Sequence, residues 1–192
     1  MKNLLSAQTL QWLWAAWMLY WFVNSLNVRR TVRREPTFRR WSTILVMITA
    51  AVLLGYTGLQ LGILEHRFVP DSDEIRAVGL LLTVAGLGIT VWARVHLGQF
   101  WSARVTLKEG HELIQSGPYA LVRHPIYSGI LLAVFGSALF IGEWRALLGV
   151  CLVWVAHTLK ARREERLLSE QFGEAFVKYR LRTGALLPRL FS

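Results

Sequence analysis

Five apolar segments with almost no charged residues divide this chain, and polar or charged stretches separate most of them. They cover residues 4–28, 41–64, 77–97, 126–142 and 144–159. The first three are long enough to cross about 30 Å of hydrocarbon as α-helices. The last two are short for a full crossing and follow each other closely, as in a tight helical hairpin. The pattern predicts an all-α integral membrane protein with five transmembrane helices.

The polar connections predict where structure outside the membrane lies. Residues 98–125 form the longest connection and contain a β-like stretch at 101–107. Residues 161–192 form a tail without an apolar run. Within it, large apolar side chains recur at helical spacing over residues 161–182: Leu167, Leu168, Phe172, Phe176 and Tyr179. This spacing predicts an amphipathic helix that lies back on the bundle or on the membrane surface. We expect a single membrane domain over residues 1–192.

Glycine spacing in the second apolar segment suggests how the helices pack. Gly58 and Gly62 are four residues apart. Small residues at this spacing are typical of membrane helices whose backbones approach closely. We therefore expect the second helix to make a close contact through these two glycines.

Composition and charge agree with a membrane location. The chain is 54% hydrophobic with a mean hydropathy of +0.37, yet its formal net charge is +10. A soluble domain of 192 residues has too small a core to bury so much apolar surface. If five helices alternate in direction, 18 of the 22 lysines and arginines fall on the side of the tail. The positive-inside rule then predicts a cytoplasmic tail and an external N-terminus, and we expect a prokaryotic inner membrane.

The basic residues do not indicate nucleic-acid binding. Such binding by a soluble surface combines a basic stripe with aromatic side chains that stack on bases, and no stretch of this chain has that pattern. Positive charge beside apolar helices instead favours contact with anionic lipid headgroups. Membrane lipids are therefore the expected partners, and nucleic acid is not.

Two polar clusters interrupt the apolar pattern in the second half of the chain. Residues 117–129 place His124 and two tyrosines where the long connection enters the fourth segment. At the end of the fifth segment, His157, Lys160 and Glu164 share one helical face because they are three and four residues apart. Taken singly, each cluster has a purely structural explanation. The first is then a turn at the start of a helix, and the second is a snorkelling lysine with a surface ion pair. Facing each other at a membrane edge, they indicate a functional site.

Several short motifs carry a resemblance to a known family. They lie in order at 97–102, 110–114, 117–119, 123–129 (Arg-His-Pro-Ile-Tyr-Ser-Gly), 164–168 (Glu-Glu-Arg-Leu-Leu) and 172–179. Residues 90–190 in this way resemble the isoprenylcysteine carboxyl methyltransferases, whereas the first two helices match them only in character. The resemblance implies an integral membrane methyltransferase that uses S-adenosylmethionine, without a metal and without a Rossmann domain.

The resemblance also implies which residues form the site, with the cytoplasmic loop and the C-terminal helix around it. Residues expected to line the cofactor pocket are His111, Glu112, Leu113, Ile114, Tyr119, His124, Pro125, Ile126, Tyr127 and Glu164. Lys160 lies where family members have an arginine that meets the substrate. Because lysine lacks the bidentate fork of a guanidinium, Arg163 is a second candidate for that role.

The chemistry of these residues is compatible with methyl transfer. Glu164 can accept hydrogen bonds from the ammonium group or from the ribose hydroxyls of the cofactor. Tyr119 and Tyr127 offer aromatic faces to adenine or to the cationic methyl donor. A carboxylate acceptor is ionised at pH 7 and needs no base. A thiol or amine acceptor must lose a proton, and Glu165 or His157 is then the candidate base.

The sequence is therefore compatible with three functions. The leading one is methyl transfer to a lipophilic acceptor, for example a prenylcysteine-like carboxylate, that enters laterally from the bilayer. The second is a membrane reductase that holds a nicotinamide cofactor with cytosolic arginines. The third is a non-enzymatic membrane protein whose polar edge binds lipid headgroups. The sequence predicts no particular oligomeric state.

Overall fold

The computed structural model describes residues 5–25, 31–34, 37–55, 61–98, 106–108 and 113–189. Within them the chain forms helices and one two-stranded sheet, in the order α1 (Ala7–Ser25), β1 (Thr31–Arg34), α2 (Thr37–Gly55), α3 (Asp73–Leu97), β2 (Thr106–Lys108), α4 (Pro125–Ile141), α5 (Trp144–Phe172) and α6 (Glu174–Arg182). Single 3-10 turns occupy Gly62–Glu65 and Gly117–Ala120. Strands β1 and β2 pair antiparallel and join two connections that lie at the same end of the bundle.

The helical architecture predicted from the apolar segments is present, with the small sheet added to it. Of the five spans that the sequence predicts, α3 is the one described helix with both the length and the hydropathy for a membrane crossing. Its 25 residues extend about 37 Å. Shorter apolar helical stretches cover Thr43–Gly55 and Pro125–Ile141.

Helices α3 and α4 pack backbone against backbone. A Cβ atom added at Gly86 would lie 2.4 Å from the backbone nitrogen of Ala133, and one at Gly136 would lie 2.5 Å from that of Thr83. The glycines of this contact are seven residues apart on each helix: Gly79 and Gly86 on α3, and Gly129 and Gly136 on α4. The buried Thr83 hydroxyl lies within 3.2 Å of the Ala133 carbonyl oxygen and can donate to it across this contact. Close approach is therefore possible only because these positions lack side chains.

Of the two glycines expected to pack the second helix, Gly62 does not lie in that helix. Helix α2 ends at Gly55, and Gly62 lies in a 3-10 turn with φ of 58°. Gly58 lies outside the described residues. A positive φ suits a turn rather than a helix, so Gly62 has a conformational role in place of the predicted packing role.

The bundle has two ends, which we name by their residues. The site end contains Leu97 and His124, where α3 ends and α4 begins. The far end contains Asp73 and Trp144, where α3 and α5 begin. At the far end, backbone hydrogen bonds join the α4–α5 turn to the segment before α3, from Phe68 to Gly142 (2.8 Å) and from Trp144 to His66 (3.1 Å). The two-residue turn brings α5 back along α4 to the site end, as a helical hairpin.

Helix α5 continues much further than the sequence predicts. The expected boundary at residue 159 and the separate tail helix from residue 161 are replaced by one helix of 29 residues. No glycine or proline lies between 159 and 172, and charged residues by themselves do not end a helix. The break occurs at Gly173, whose φ is 49°. Helix α6 follows and buries Phe176 and Tyr179, so the end of the tail packs on the protein.

The glycine contact between α3 and α4 generates a stability prediction. We expect Gly86→Ala to destabilise the protein by about 1–3 kcal/mol, because its Cβ would overlap the α4 backbone. Gly88→Ala is the matched control on the same helix, since a Cβ there meets nothing within 4 Å. Thermal unfolding in detergent measures both variants. Equal melting temperatures for the two would contradict the close contact.

Candidate functional site

Tyr127, in the first turn of α4, is the centre of a polar cluster at the site end. Its ring stacks on the His124 imidazole, with centroids 5.4 Å apart and planes 6° apart. The His157 ring meets it edge-on at 4.8 Å, and the Lys160 ammonium lies 5.2 Å from its centroid. The Tyr127 hydroxyl donates a hydrogen bond to Glu164. All three residues of the predicted α5 face therefore contact the side chain of Tyr127.

His124 lies between two carboxylates of α5. Its Nδ1 is 3.4 Å from Oε2 of Glu164, and its Nε2 is 3.3 Å from Oε1 of Glu165. The same oxygen of Glu165 accepts a hydrogen bond from Nε of Arg123 at 2.7 Å. Only 6% of the His124 side chain and 8% of the Arg123 side chain are exposed. Two cationic side chains from the start of α4 thus neutralise two acidic side chains of α5.

These contacts shift the pKa values of Glu164, Glu165 and His124, all of which lie outside the apolar segments. Burial opposes ionisation of Glu164, but the His124 hydrogen bond and the Lys160 charge outweigh it, so its pKa is lowered. Burial likewise opposes ionisation of Glu165, while His124 and Arg123 lower its pKa to about 2. Burial also disfavours the charged imidazole, yet the two carboxylates raise the pKa of His124. The cluster is therefore most favourable when all three groups are ionised.

A C-terminal strap, residues 183–187, holds the chain that carries Arg123 and His124. The backbone amides of these two residues donate to the carbonyls of Gly184 (2.9 Å) and Ala185 (3.1 Å). The Arg123 guanidinium also donates to the Thr183 carbonyl. The Ser128 hydroxyl donates to the Leu186 carbonyl at 2.6 Å. Because the strap satisfies these polar groups, it fixes the position from which His124 reaches both carboxylates.

Tyr119 forms a buried wall beside the cluster. Its hydroxyl lies 3.4 Å from the Ala93 carbonyl, and its own carbonyl accepts a hydrogen bond from Tyr179 at 2.7 Å. Burial raises the pKa of Tyr119, and it raises that of Tyr179 to about 12, so both phenols stay protonated. Tyr119 shares an apolar core with Ala93, Ile126, Tyr127 and Ala161, and Ile114 packs against that core. This side of the site is therefore buried and mostly apolar.

An elongated cavity of about 1080 Å³ runs along α1, α2, α4 and α5. At the site end His157 and Lys160 line it. Between its ends the lining is mainly apolar, and includes Trp14, Met47, Leu54, Ile130, Val134 and Val153. At the far end it is lined by charged residues, Arg67, Arg76, Glu143 and Arg145. The polar cluster and the apolar cavity thus meet at Lys160.

The structure brings together most of the residues that the sequence nominates. One contiguous region, bordered by Ile114, contains seven of them: Tyr119, His124, Pro125, Ile126, Tyr127, Lys160 and Glu164. Leu113 is half-buried at the start of the same segment, and Arg163 is half-buried on α5 but does not line the cavity. His111 and Glu112 lie outside the described residues.

Sequence reasoning missed two parts of this arrangement. The first is the pairing of Arg123 with Glu165, although both residues occur within the quoted motifs. The second is the strap, which contributes mainly backbone carbonyls. A carbonyl is available at every residue, so no side-chain pattern signals that one segment will pair with another.

The ionised cluster predicts a stability that depends on pH. The charged imidazole of His124 contributes fully below the ordinary pKa of 6.5, and its contribution is lost as pH rises through its raised pKa. We expect the melting temperature in detergent to fall as the pH rises above the ordinary histidine pKa of 6.5. In His124→Gln this alkaline decline should be much weaker. A decline of the same size in the variant would assign it to other groups.

Relatives with known names match this chain over much of its length. It is 28% identical over 152 residues to the cobalt-zinc-cadmium resistance protein CzcN of Cupriavidus metallidurans, covering 78% of this chain and 62% of that protein. It is 32% identical over 125 residues to the protein-S-isoprenylcysteine O-methyltransferase of Schizosaccharomyces pombe, covering 64% and 52%. The chain thus spans between about half and two thirds of the length of these relatives.

A solved structure has a similar fold. The eukaryotic intramembrane Ras methyltransferase ICMT (isoprenylcysteine carboxyl methyltransferase) superposes with a TM-score of 0.57 at 19% identity, covering 82% of this chain and 54% of that one. At that identity the likeness concerns the fold alone.

The sequence model of one family covers the region that contains the site. The phospholipid methyltransferase model matches residues 75–175, just over half of the chain, from α3 through α5. With the relatives above, this match confirms the resemblance to the isoprenylcysteine carboxyl methyltransferases. The chain belongs to the phospholipid methyltransferase family.

Proposed function

We propose that this protein transfers a methyl group from S-adenosylmethionine to a lipophilic acceptor at a membrane surface. One observation carries the proposal: Lys160 lines the apolar cavity and also lies over the Tyr127 ring, whose hydroxyl bonds Glu164. A water-soluble cofactor and a membrane-soluble acceptor need adjoining compartments of this kind. Family membership supports the same reaction class.

The polar cluster fits the chemical groups of the cofactor. Glu164 is an ionised carboxylate, 21% exposed, that can bind the ammonium group or the ribose hydroxyls. The Tyr127 ring already has one cation, the Lys160 ammonium, 5.2 Å from its centroid, so its aromatic surface is of the kind that suits a sulfonium. Ile114 and Tyr119 would form the apolar wall, and by resemblance His111, Glu112 and Leu113 would contribute as well. When bound, S-adenosylmethionine supplies a methyl group on a positively charged sulfur, which becomes a neutral thioether after transfer.

The residues of this chain mainly position the two partners. Lys160 would hold the acceptor's polar group at the mouth of the cavity, within reach of the cluster around Tyr127. The apolar lining excludes water, which keeps the acceptor atom unsolvated and limits hydrolysis. Alignment of the acceptor with the methyl group is then the main contribution to catalysis. Arg163, which lies away from the cavity, is the weaker candidate for this role.

The groups around the cavity mouth favour an acceptor that arrives already ionised. Glu165 is a poor base, because its pKa is about 2 and it is bonded to Arg123. A carboxylate acceptor requires no base at all. For a thiol or an amine, His157 is the better candidate. Its Nδ1 donates to the Val153 carbonyl at 2.9 Å, which leaves Nε2 of the neutral ring as an acceptor.

The same proposal assigns an orientation in the membrane. The site end would face the cytoplasm, where S-adenosylmethionine is made available, with the N-terminus outside and the tail inside. The excess of lysine and arginine in the connections at the site end supports this arrangement. An inner membrane of a prokaryote is the expected location.

Ligand binding tests the proposed cofactor. We expect S-adenosylhomocysteine to raise the melting temperature of the detergent-solubilised protein, by an amount that corresponds to about 2.7 kcal/mol at a hundredfold excess over Kd. NADPH should have no effect. Glu164→Gln should abolish the shift, whereas Glu170→Gln, an exposed position on the same helix, should retain it. A shift with NADPH alone would support the reductase, and no shift with either ligand would support the lipid-binding alternative.

Kinetics test the role of Lys160. With an N-acetyl-S-prenylcysteine as acceptor, Lys160→Gln should raise its KM about tenfold to a hundredfold, since a hydrogen bond to a charged group contributes about 1.5–3 kcal/mol. The response to S-adenosylhomocysteine should persist. Arg163→Gln is the matched comparison and should leave KM nearly unchanged. The opposite ranking of the two variants would transfer the orienting role to Arg163.

A further inference from the structure

The cavity has a definite length as well as an apolar lining. Lys160 at the site end and Arg145 at the far end both line it, and both lie on α5. Fifteen residues separate them, which corresponds to about 22 Å along a helix. Half of the hydrocarbon of a bilayer is about 15 Å thick. The cavity therefore extends past the depth that one leaflet of lipid chains occupies.

The far end of the cavity is formed by charged groups that are bonded to one another. The buried guanidinium of Arg145 donates to Glu143 and to the carbonyl of Leu53 (2.6 Å). Arg67 and Arg76 both contact the carboxylate of Asp71. These groups depend on each other and on water, because the Arg67 and Arg76 side chains are each 34% exposed.

An apolar chain that reached this end would meet an unfavourable surface. Its terminal methyl group would displace water from the arginines and carboxylates without replacing the lost hydrogen bonds. Before that point, each added methylene lies against side chains such as Trp14, Val134 and Val153. The lining thus accepts an apolar chain along most of its length and disfavours it at the end.

We propose that this cavity holds one apolar chain of the methyl acceptor, with the reacting group at Lys160, and that the far-end charges set the longest chain accepted. The proposal rests on the proposed function for the identity of the occupant. It adds that acceptors are selected by the length of their apolar chain, through contact with charged groups about 22 Å from the reacting group along α5.

Gly55 offers a way to shorten the cavity without disturbing the fold. It lines the cavity at the last residue of α2, two residues from the Leu53 carbonyl that binds Arg145. A Cβ atom at Gly55 meets nothing within 4 Å, so a side chain there can extend into open space. Gly88 has the same open surroundings but lies on α3 and does not line the cavity. Gly55→Phe and Gly88→Phe are therefore matched variants.

The test measures binding of unbranched alkanoic acids of increasing length to the protein in lipid nanodiscs, with Kd expressed per lipid. We expect Kd to stay level up to a limiting length and then to rise by about tenfold or more, because the far-end charged groups lose their solvation. Gly55→Phe should move the limit to shorter acids, and Gly88→Phe should leave it in place. A smooth dependence on length in the wild-type protein, or an unchanged limit in Gly55→Phe, would overturn the proposal.

Two further arms separate the remaining explanations. Dicarboxylic acids of matched length should bind more weakly than the monoacids; tighter binding would mean that the far-end arginines recognise an anion, which contradicts a simple apolar terminus. S-adenosylhomocysteine should stabilise Gly55→Phe as it does the wild-type protein. If that stabilisation is present while the length limit is absent, the proposed function stands and the length selection fails. If it is absent in the wild-type protein, the proposed function itself fails.

Discussion

The site depends on the placement of a buried imidazole between two carboxylates. Charged groups that leave water are stable only when other charges and hydrogen bonds replace their hydration. His124 contacts Glu164 and Glu165, Arg123 contacts Glu165, and the Tyr127 hydroxyl contacts Glu164. The start of α4 and the charged part of α5 are thereby held together. Lys160, one turn before Glu164 on α5, thereby lies over the Tyr127 ring.

Two packing features deliver these residues to one place. The glycines of α3 and α4 let the two backbones touch, which sets the start of α4 beside the end of α3. The tight turn after Ile141 then returns α5 antiparallel, so its charged turns reach the same end of the bundle. The strap of residues 183–187 completes the arrangement by binding the amides of Arg123 and His124. A helical bundle can in this way build a polar site without a dedicated soluble domain.

The apolar cavity lies directly beside the polar cluster. Water-soluble and membrane-soluble molecules can meet only where a polar surface and an apolar compartment share an edge, and Lys160 lies on that edge. The two ends of the cavity differ in what their charged side chains contact. Lys160 and His157 lie beside groups suited to hold reactants, whereas the far-end arginines are bonded to carboxylates and carbonyls already. In the proposed function, Lys160 orients the acceptor at one end, and the arginines limit its length at the other.

The sequence by itself determined the helical membrane architecture, because apolar runs of this length are stable only as helices in lipid. Helical spacing also placed Lys160 and Glu164 on one helical face, and the family resemblance assigned His124 and Tyr127 to the same site. Tertiary structure decided the rest. It placed a close glycine contact on α3 and α4, put Gly62 in a turn, extended α5 to Phe172, and paired Arg123 with Glu165. It also created the strap and the cavity, which arise from backbone carbonyls and from the space between helices. Neither has a residue pattern, so only the folded chain reveals them.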